Sequence, residues 1–189
     1  MKRYTYPNVD AGSKVRYEDR VRIGRYIEPL VARVTTRASY IPNIGNVIGH
    51  VRTTLGVLEM GVTEYSETTS SGKFHMDLYR RLGRHASRLS SILDSPQARR
   101  AEGMVEGCEG ILADSPEIVP EPVNLTRDVL SDTRRLVPII REISESRKAD
   151  QVPEALSIAI GMKGPLQRFS AITGRVLTIS EIKRLDGMG

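Results

Sequence analysis

The sequence predicts an all-α protein: an irregular helical bundle of about five to seven helices with an extended basic N-terminal arm. Three observations lead to this prediction. Apolar residues recur with the 3.6-residue period of an amphipathic helix in successive segments. The core they offer is aliphatic, because the 189-residue chain has two phenylalanines and no tryptophan, and such cores are typical of helix bundles. Prolines stand mainly where these segments would begin and end.

The predicted arm covers residues 1–15, which lack a helical period and contain Pro7 and Gly12. Tyrosine and arginine are frequent in and just after this segment, and both residue types anchor protein interfaces. An arm that packs on its own domain, or a flexible tail, is the alternative. The residues predicted to contact another copy of the chain are Arg3, Tyr4, Tyr6, Arg16 and Tyr17.

A helical lobe is predicted for residues 16–113. Its first helical pattern covers 17–37, and Pro29 is expected to kink or break it and to lie in the first turn of a second segment. The next helix is predicted over 43–65, where apolar residues follow the helical period closely. A polar loop over 64–72 ends this part of the lobe.

The lobe ends in a predicted αα-hairpin, residues 73–113, with helices over 73–93 and 96–113. Ser95 and Pro96 mark the start of its second helix, because serine caps helix N-termini and proline fits the first turn. The first helix is rich in arginine and the second in glutamate. The predicted charge pairs join Arg84 and Arg88 with Glu102, Glu106 or Glu109.

A Pro-rich connector, residues 114–123, is predicted to follow this lobe. The C-terminal helical segment, 124–189, forms either a second lobe or one domain with the first. We expect its longest helix to be kinked at Pro138. The predicted elements are helices over 124–148, 152–162 and 166–173, a candidate strand over 175–179 and a last turn over 181–185.

The net charge of +5 is unevenly distributed along the chain. Residues 1–37 and 73–100 each carry +5, whereas residues 101–132 carry −7. Helix faces that neutralise one another within the fold would explain this alternation. A protein with one basic and one acidic face would explain it too, and such a protein could bind a polyanion or stack on its own copies.

The densest row of cations lies on the predicted helix 73–93, where Arg80, Arg84 and Arg88 repeat every four residues. Like charges at this spacing repel each other, which favours an anion as their partner. No helix-turn-helix or zinc-finger pattern is present, and few aromatic residues are available to stack on bases, so binding would be directed at the phosphate backbone. The candidate polyanion-binding residues are Lys73, Arg80, Arg81, Arg84, Arg88, Arg99 and Arg100.

Signatures of catalysis and of metal binding are missing from the sequence. The single cysteine, Cys108, excludes an internal disulfide and a thiolate zinc site, and its apolar surroundings favour a buried, inert thiol. His50, His75 and His85 are scattered and are expected at the surface or at an interface. No nucleophile-elbow, Walker or Rossmann motif occurs. We therefore expect a protein without enzymatic activity, metal, cofactor or small-molecule substrate, and keep a helical enzyme using His75 or His85 as a third hypothesis.

No apolar run is long enough for a membrane span, and the first 25 residues are too polar for a secretory signal, so we expect a reducing cytoplasmic location or a virion. The first hypothesis is a structural, self-assembling protein, such as a viral shell subunit, that uses arm and helix-face contacts between copies. The alternative is a small nucleic-acid-associated helical adaptor. Its phosphate-binding residues would be Arg80, Arg81, Arg84 and Arg88.

Overall fold

The predicted all-α bundle is confirmed by the computed structural model, which describes residues 16–38, 41–64 and 69–176. This part of the chain contains helices and no strand. The first two α-helices and the π-helical segment between them form one uninterrupted helical run. The elements are α1 (Tyr17–Arg22), the π-helical segment (Ile23–Ile27), α2 (Glu28–Arg37), α3 (Ile41–Glu64), α4 (Thr69–Leu93), α5 (Pro96–Ile111), a 3₁₀-helix (Pro116–Ile118), α6 (Glu121–Ser146), α7 (Val152–Gly161) and α8 (Lys163–Val176).

The chain divides into two compact units, each assembled from segments that are distant in sequence. Unit 1 comprises Met1–Ser39, Pro96–Asp128 and Arg168–Gly189, and unit 2 comprises Tyr40–Ser95 and Val129–Gln167. This division differs from the predicted one, which follows chain order and changes lobe within the connector. The chain returns to unit 1 at the start of α5 and again within α8, and no local sequence pattern reveals either return.

Unit 1 is built around the packing of α2 against α5. The apolar residues of the first helical run are spaced four, four and three apart, so they lie on one face of the helix. Spacings of three and four on α5 produce the complementary face. The resulting core contains Ile23, Ile27, Val31, Val34, Val105, Cys108, Leu112, Ile118, Val119 and Val123.

Pro29 lies in the first turn of a second segment, α2, as the sequence predicts, but the helical run is not broken there. The π-helical segment ends at Ile27, and α2 begins at Glu28 with Pro29 in its first turn. A proline has no N–H to donate and suits this position. The π turn, in which each N–H reaches a carbonyl five residues back, joins α1 to α2 without interrupting the helical run.

The Pro-rich connector belongs to the core of unit 1 and is not a solvent-exposed linker. Ser115, Ile118 and Val119 are buried, with Ser115 fully so. Helix α6 begins at Glu121, three residues before the predicted start, because prolines are tolerated in a first helical turn. Its Glu121 carboxylate, favourably placed at a helix N-terminus, forms an ion pair with Arg168 of α8.

Unit 2 is built around α3, which packs against α4 and α7. The helices α3 and α4 run antiparallel: the ring of His50 stacks on that of His85, and Gly61 contacts His75. These two contacts lie about 15 Å apart along α4, given a rise of about 1.5 Å per residue. The buried residues of the two helices are Ile41, Ile44, Val47, Ile48, Val51, Leu55, Leu58, Leu78, Leu82, Ala86, Leu89 and Leu93.

Several predicted helix boundaries were wrong. Helix α4 begins at Thr69 rather than at residue 73, because the Ser/Thr-rich segment that reads as a loop forms its first turn. Helix α8 covers Lys163–Val176 rather than 166–173, and its passage through residues 175 and 176 contradicts the candidate strand there. Residues 177–189, which hold the remainder of that strand and the predicted last turn, lie outside the described residues.

In the described part of the chain, no helix is both long enough and apolar enough to cross a lipid bilayer.

Candidate polyanion-binding surface

The predicted row of cations is exposed along α4. Leu78, Leu82 and Leu89 of this helix are buried, at most 3% exposed. Arg84 follows Leu82 by two residues and therefore lies about 200° around the helix from it, at about 100° per residue. Lys73, Arg80, Arg81, Arg84 and Arg88 are all exposed, and these five residues are called the basic face below.

Most of the basic face has no anionic partner. Arg80 lies 3.6 Å from the Asp77 carboxylate, and both side chains are more than half exposed, so this pair contributes little. Arg81, Arg84 and Arg88 form no ion pair or side-chain hydrogen bond with any described residue of unit 2. Three guanidinium groups on one helix are therefore available to an external anion.

Neighbouring helices of unit 2 fix the rotation of α4 and thereby the direction of the basic face. On one side, the Ser144 hydroxyl of α6 donates a hydrogen bond of 2.8 Å to the carbonyl oxygen of Tyr79. Arg141, also of α6, donates through Nη2 to Ser90 Oγ at 2.8 Å. On the other side, α3 brings His50 against His85.

The histidine pair lies beside the positive charges of the basic face. The rings of His50 and His85 are stacked, with centroids 5.9 Å apart and planes 8° from parallel. Partial burial lowers the pKa of His85, and the positive charges of His50, Arg84, Arg88 and Arg81 lower it further. An imidazole whose pKa is lowered in this way lies in a positive electrostatic potential, which attracts anions.

This histidine pair was not anticipated from sequence. The two residues lie 35 positions apart, and no motif connects them. The signal that could have found them is the register of the antiparallel pair α3 and α4, but that register depends on where the intervening turn begins and ends. The predicted loop over residues 64–72 places that turn wrongly, because Thr69–Gly72 form the first turn of α4.

Arg99 and Arg100 do not belong to the same compact unit as the basic face. Both are exposed residues in the first turn of α5, which is part of unit 1. The structure thus brings five of the seven predicted polyanion-binding residues together on one helix of unit 2, and the other two form a separate basic pair.

One of the predicted acidic partners is already engaged within unit 1. Glu109 of α5 accepts a hydrogen bond of 2.8 Å from Arg127, which also pairs with the adjacent Asp128. These hydrogen bonds raise the pKa of Arg127, and the bond to Asp128 contributes most. The predicted pairing of Arg84 and Arg88 with Glu102 or Glu106 stays a prediction.

The predicted interface arm is described only at its C-terminal end, since Arg3, Tyr4 and Tyr6 lie outside the described residues. Arg16 contacts its own unit: it lies 3.3 Å from the buried Asp19 carboxylate and donates to Ser115 Oγ at 3.3 Å. Tyr17, by contrast, is 81% exposed. Tyr26, which the sequence analysis does not include among the arm residues, is 59% exposed.

No cluster of three or more histidine, cysteine or acidic side chains suited to a metal ion occurs within the described ranges. Cys108 is fully buried, and burial together with the nearby Glu109 raises its pKa to about 11. The chain matches no protein-family model, no curated protein sequence and no solved structure. Its function must therefore be argued from its own residues.

Proposed function

We propose that this protein is a non-enzymatic structural protein that binds the phosphate backbone of nucleic acid through the basic face of α4. The observation that carries the proposal is the row of exposed guanidinium groups at Arg81, Arg84 and Arg88, none of which has an anionic partner among the described residues of unit 2. Arginine binds phosphate oxygens in a bidentate manner and keeps its charge at all physiological pH values.

The geometry favours a ligand with several negative charges in a row. Arg81 and Arg88 are seven residues apart, which corresponds to about 10 Å along the helix axis. A single anion would not reach all three arginines, whereas a nucleic acid strand presents successive phosphates over that length. Binding would release condensed counterions and would weaken steeply as salt is raised.

The same face offers little for reading base sequence. Between Arg80 and Arg88 the exposed residue that is not an arginine is Ser87, and the exposed aromatic residue Phe74 lies beside Lys73, about two helical turns before Arg81. Ser87 and Ser91 donate their hydroxyl hydrogens to carbonyl oxygens of their own helix. The surface therefore suits contacts to phosphate better than stacking on bases, and we expect similar affinity for unrelated sequences.

Charge reversal on the basic face tests this proposal. We expect Arg84→Glu with Arg88→Glu to weaken binding to a DNA duplex of about 24 base pairs by at least about tenfold at low salt. The matched control is Lys148→Glu with Lys163→Glu, which makes the same change in net charge at two exposed positions of unit 2. Fluorescence anisotropy of the labelled duplex measures both, and equal affinities of the two double variants would refute the proposal.

A second candidate function, self-assembly into a viral shell or similar particle, is favoured by a different observation. Tyr17 and Tyr26 are large side chains with more than half of their surface exposed, beside the exposed Arg20, Arg22 and Arg25. Tyrosine and arginine in this arrangement are typical of interfaces. The two functions are compatible, since a shell subunit in a virion would expose one surface to other copies and another to packaged nucleic acid.

Self-assembly is tested by light scattering on a size-exclusion column. We expect the wild-type chain to form an oligomer, and Tyr17→Ala with Tyr26→Ala to reduce its mass. Deletion of residues 2–15 tests the contribution of the arm separately. An oligomer of unchanged mass in both variants would exclude the arm and the tyrosines as its interface, and a monomeric wild type would exclude self-assembly.

A further inference from the structure

The stacked histidines lie beside the basic face. Their packing between α3 and α4 does not require a titratable group. His50 is exposed on α3 and His85 is half-buried on α4, at the edge of the row formed by Arg81, Arg84 and Arg88. A buried apolar pair would hold the two helices together equally well at this position. Two imidazoles here instead provide N–H groups next to the guanidinium groups.

The charged groups around His85 are all positive or become so on protonation. From α3 it faces His50, and from its own helix it faces Arg84, Arg88 and Arg81. Among the described residues, α6 contributes no charged group that acts on it. Protonation of His85 is therefore disfavoured in the free protein and would be favoured by an anion placed against it.

We propose that His50 and His85 extend the basic face onto α3 and donate N–H groups to the same backbone phosphates that the arginines bind, with His85 in the imidazolium form, so that nucleic acid binding is coupled to proton uptake. This inference rests on the proposed function. It assigns binding residues on a second helix and identifies the form in which His85 binds. Affinity should therefore increase as the pH falls toward the range in which histidine titrates.

The first part of the experiment measures the affinity for the duplex. The dissociation constant of the wild-type protein for a duplex of about 24 base pairs is compared at about pH 7.5 and about pH 5.5, at constant ionic strength. We expect binding to be about three- to tenfold tighter at the lower pH, corresponding to a bound-state pKa raised by about half a unit to one unit. In His85→Gln this ratio should fall toward one, because glutamine donates a hydrogen bond but does not titrate, and His50→Gln tests whether the second ring contributes to affinity.

The second part of the experiment measures proton binding to His85 directly, in the wild-type protein. The chain has three histidines, so their ring C–H signals in NMR spectra are few. We expect saturation with the duplex to raise the pKa of His85 and to leave the positions of the His75 ring signals unchanged, because His75 packs near Gly61, away from the basic face. His75→Gln, checked by circular dichroism for folding, supplies the assignment.

The outcomes separate the two proposals. A wild type that binds the duplex with pH-independent affinity and an unchanged His85 pKa overturns the histidine inference and leaves backbone binding intact. A wild type that fails to bind at either pH overturns both. Binding that is tighter at low pH, with the effect lost in His85→Gln and retained in His75→Gln, supports the inference.

Discussion

Ser144 of α6 contacts α4 at Gly83, where that helix has no side chain to hinder it. Its hydroxyl donates to the Tyr79 carbonyl oxygen at 2.8 Å, and a Cβ atom on Gly83 would lie 2.7 Å from the same Ser144 oxygen. The glycine therefore permits the approach, and the hydrogen bond fixes it. This contact holds the basic face of α4 in its orientation toward the exterior.

Gly83→Ala should therefore destabilise the protein, although alanine is intrinsically better than glycine in a helix by about 1 kcal/mol. The new methyl group would displace the Ser144 hydroxyl and break its bond, leaving a net loss of about 1 kcal/mol. Chemical denaturation measures the change in the free energy of unfolding. In the double variant Gly83→Ala with Ser144→Ala, much of the loss should be recovered.

The matched control is Gly56→Ala on α3. Nothing lies within 4 Å of the Cβ atom that this substitution would add. We expect a gain of up to about 1 kcal/mol from helix propensity alone. Equal effects of the two glycine substitutions would contradict the close packing of α4 on α6.

The lowered pKa of His85 predicts how stability depends on pH. Burial and the neighbouring positive charges place the folded-state pKa below the ordinary value of 6.5, so the unfolded chain binds a proton more readily. The contribution of His85 is fully present above that value and is lost as the pH falls through the folded-state pKa. We expect the melting temperature to fall between about pH 7.5 and about pH 5.5, and to fall less in His85→Gln. A steeper loss in the variant would contradict the assignment.

Much of the fold was predictable because local periodicity carries it. Pro29 and Pro96 lie in first helical turns, which is the position expected for a residue without a backbone N–H. The buried faces follow from apolar spacings of three and four residues. The boundaries of α4 and α8 were not predictable from the sequence. Serine, threonine and glycine are typical of loops, and tertiary contacts decide whether they join a helix. The pairing of α2 with α5 depends on contacts between residues distant in sequence, which one chain's periodicity does not reveal.

The candidate site was predictable in part for the same reason. The row of arginines is visible in sequence because a four-residue repeat is local. The contacts of His50 with His85 and of Arg141 with Ser90 are not, because each joins different helices. Arg16 contacts Asp19 and Ser115 of its own unit, which the sequence did not reveal, and its predicted contact with another copy stays a prediction.

Cys108 should be inert toward thiol reagents in the native protein. It is fully buried, and with a pKa of about 11 its thiolate fraction near pH 8 would be about one in a thousand even with free access. We expect negligible reaction with Ellman's reagent under native conditions and one thiol per chain after denaturation. Rapid labelling of the folded protein would contradict the position of Cys108 in the core of unit 1.

Arg147 should tolerate, and benefit from, replacement by glycine. It directly follows α6 and has a φ of 56°, a left-handed conformation that costs a residue with a Cβ atom about 1 kcal/mol. We expect Arg147→Gly to raise the free energy of unfolding by about 0.5 to 1 kcal/mol. Lys148→Gly is the control, since the backbone of Lys148 is not left-handed and glycine there brings no such gain.

The central claim is that the basic face binds phosphate backbone irrespective of base sequence, and the dependence of affinity on salt tests it most directly. The association constant is measured for two duplexes of unrelated sequence over a series of salt concentrations. For contacts from Arg81, Arg84 and Arg88 we predict parallel lines of log K against log salt with a slope of about −3, reduced by about one for each arginine replaced by glutamine. A slope near zero, or affinities that differ strongly between the two sequences, would contradict the claim.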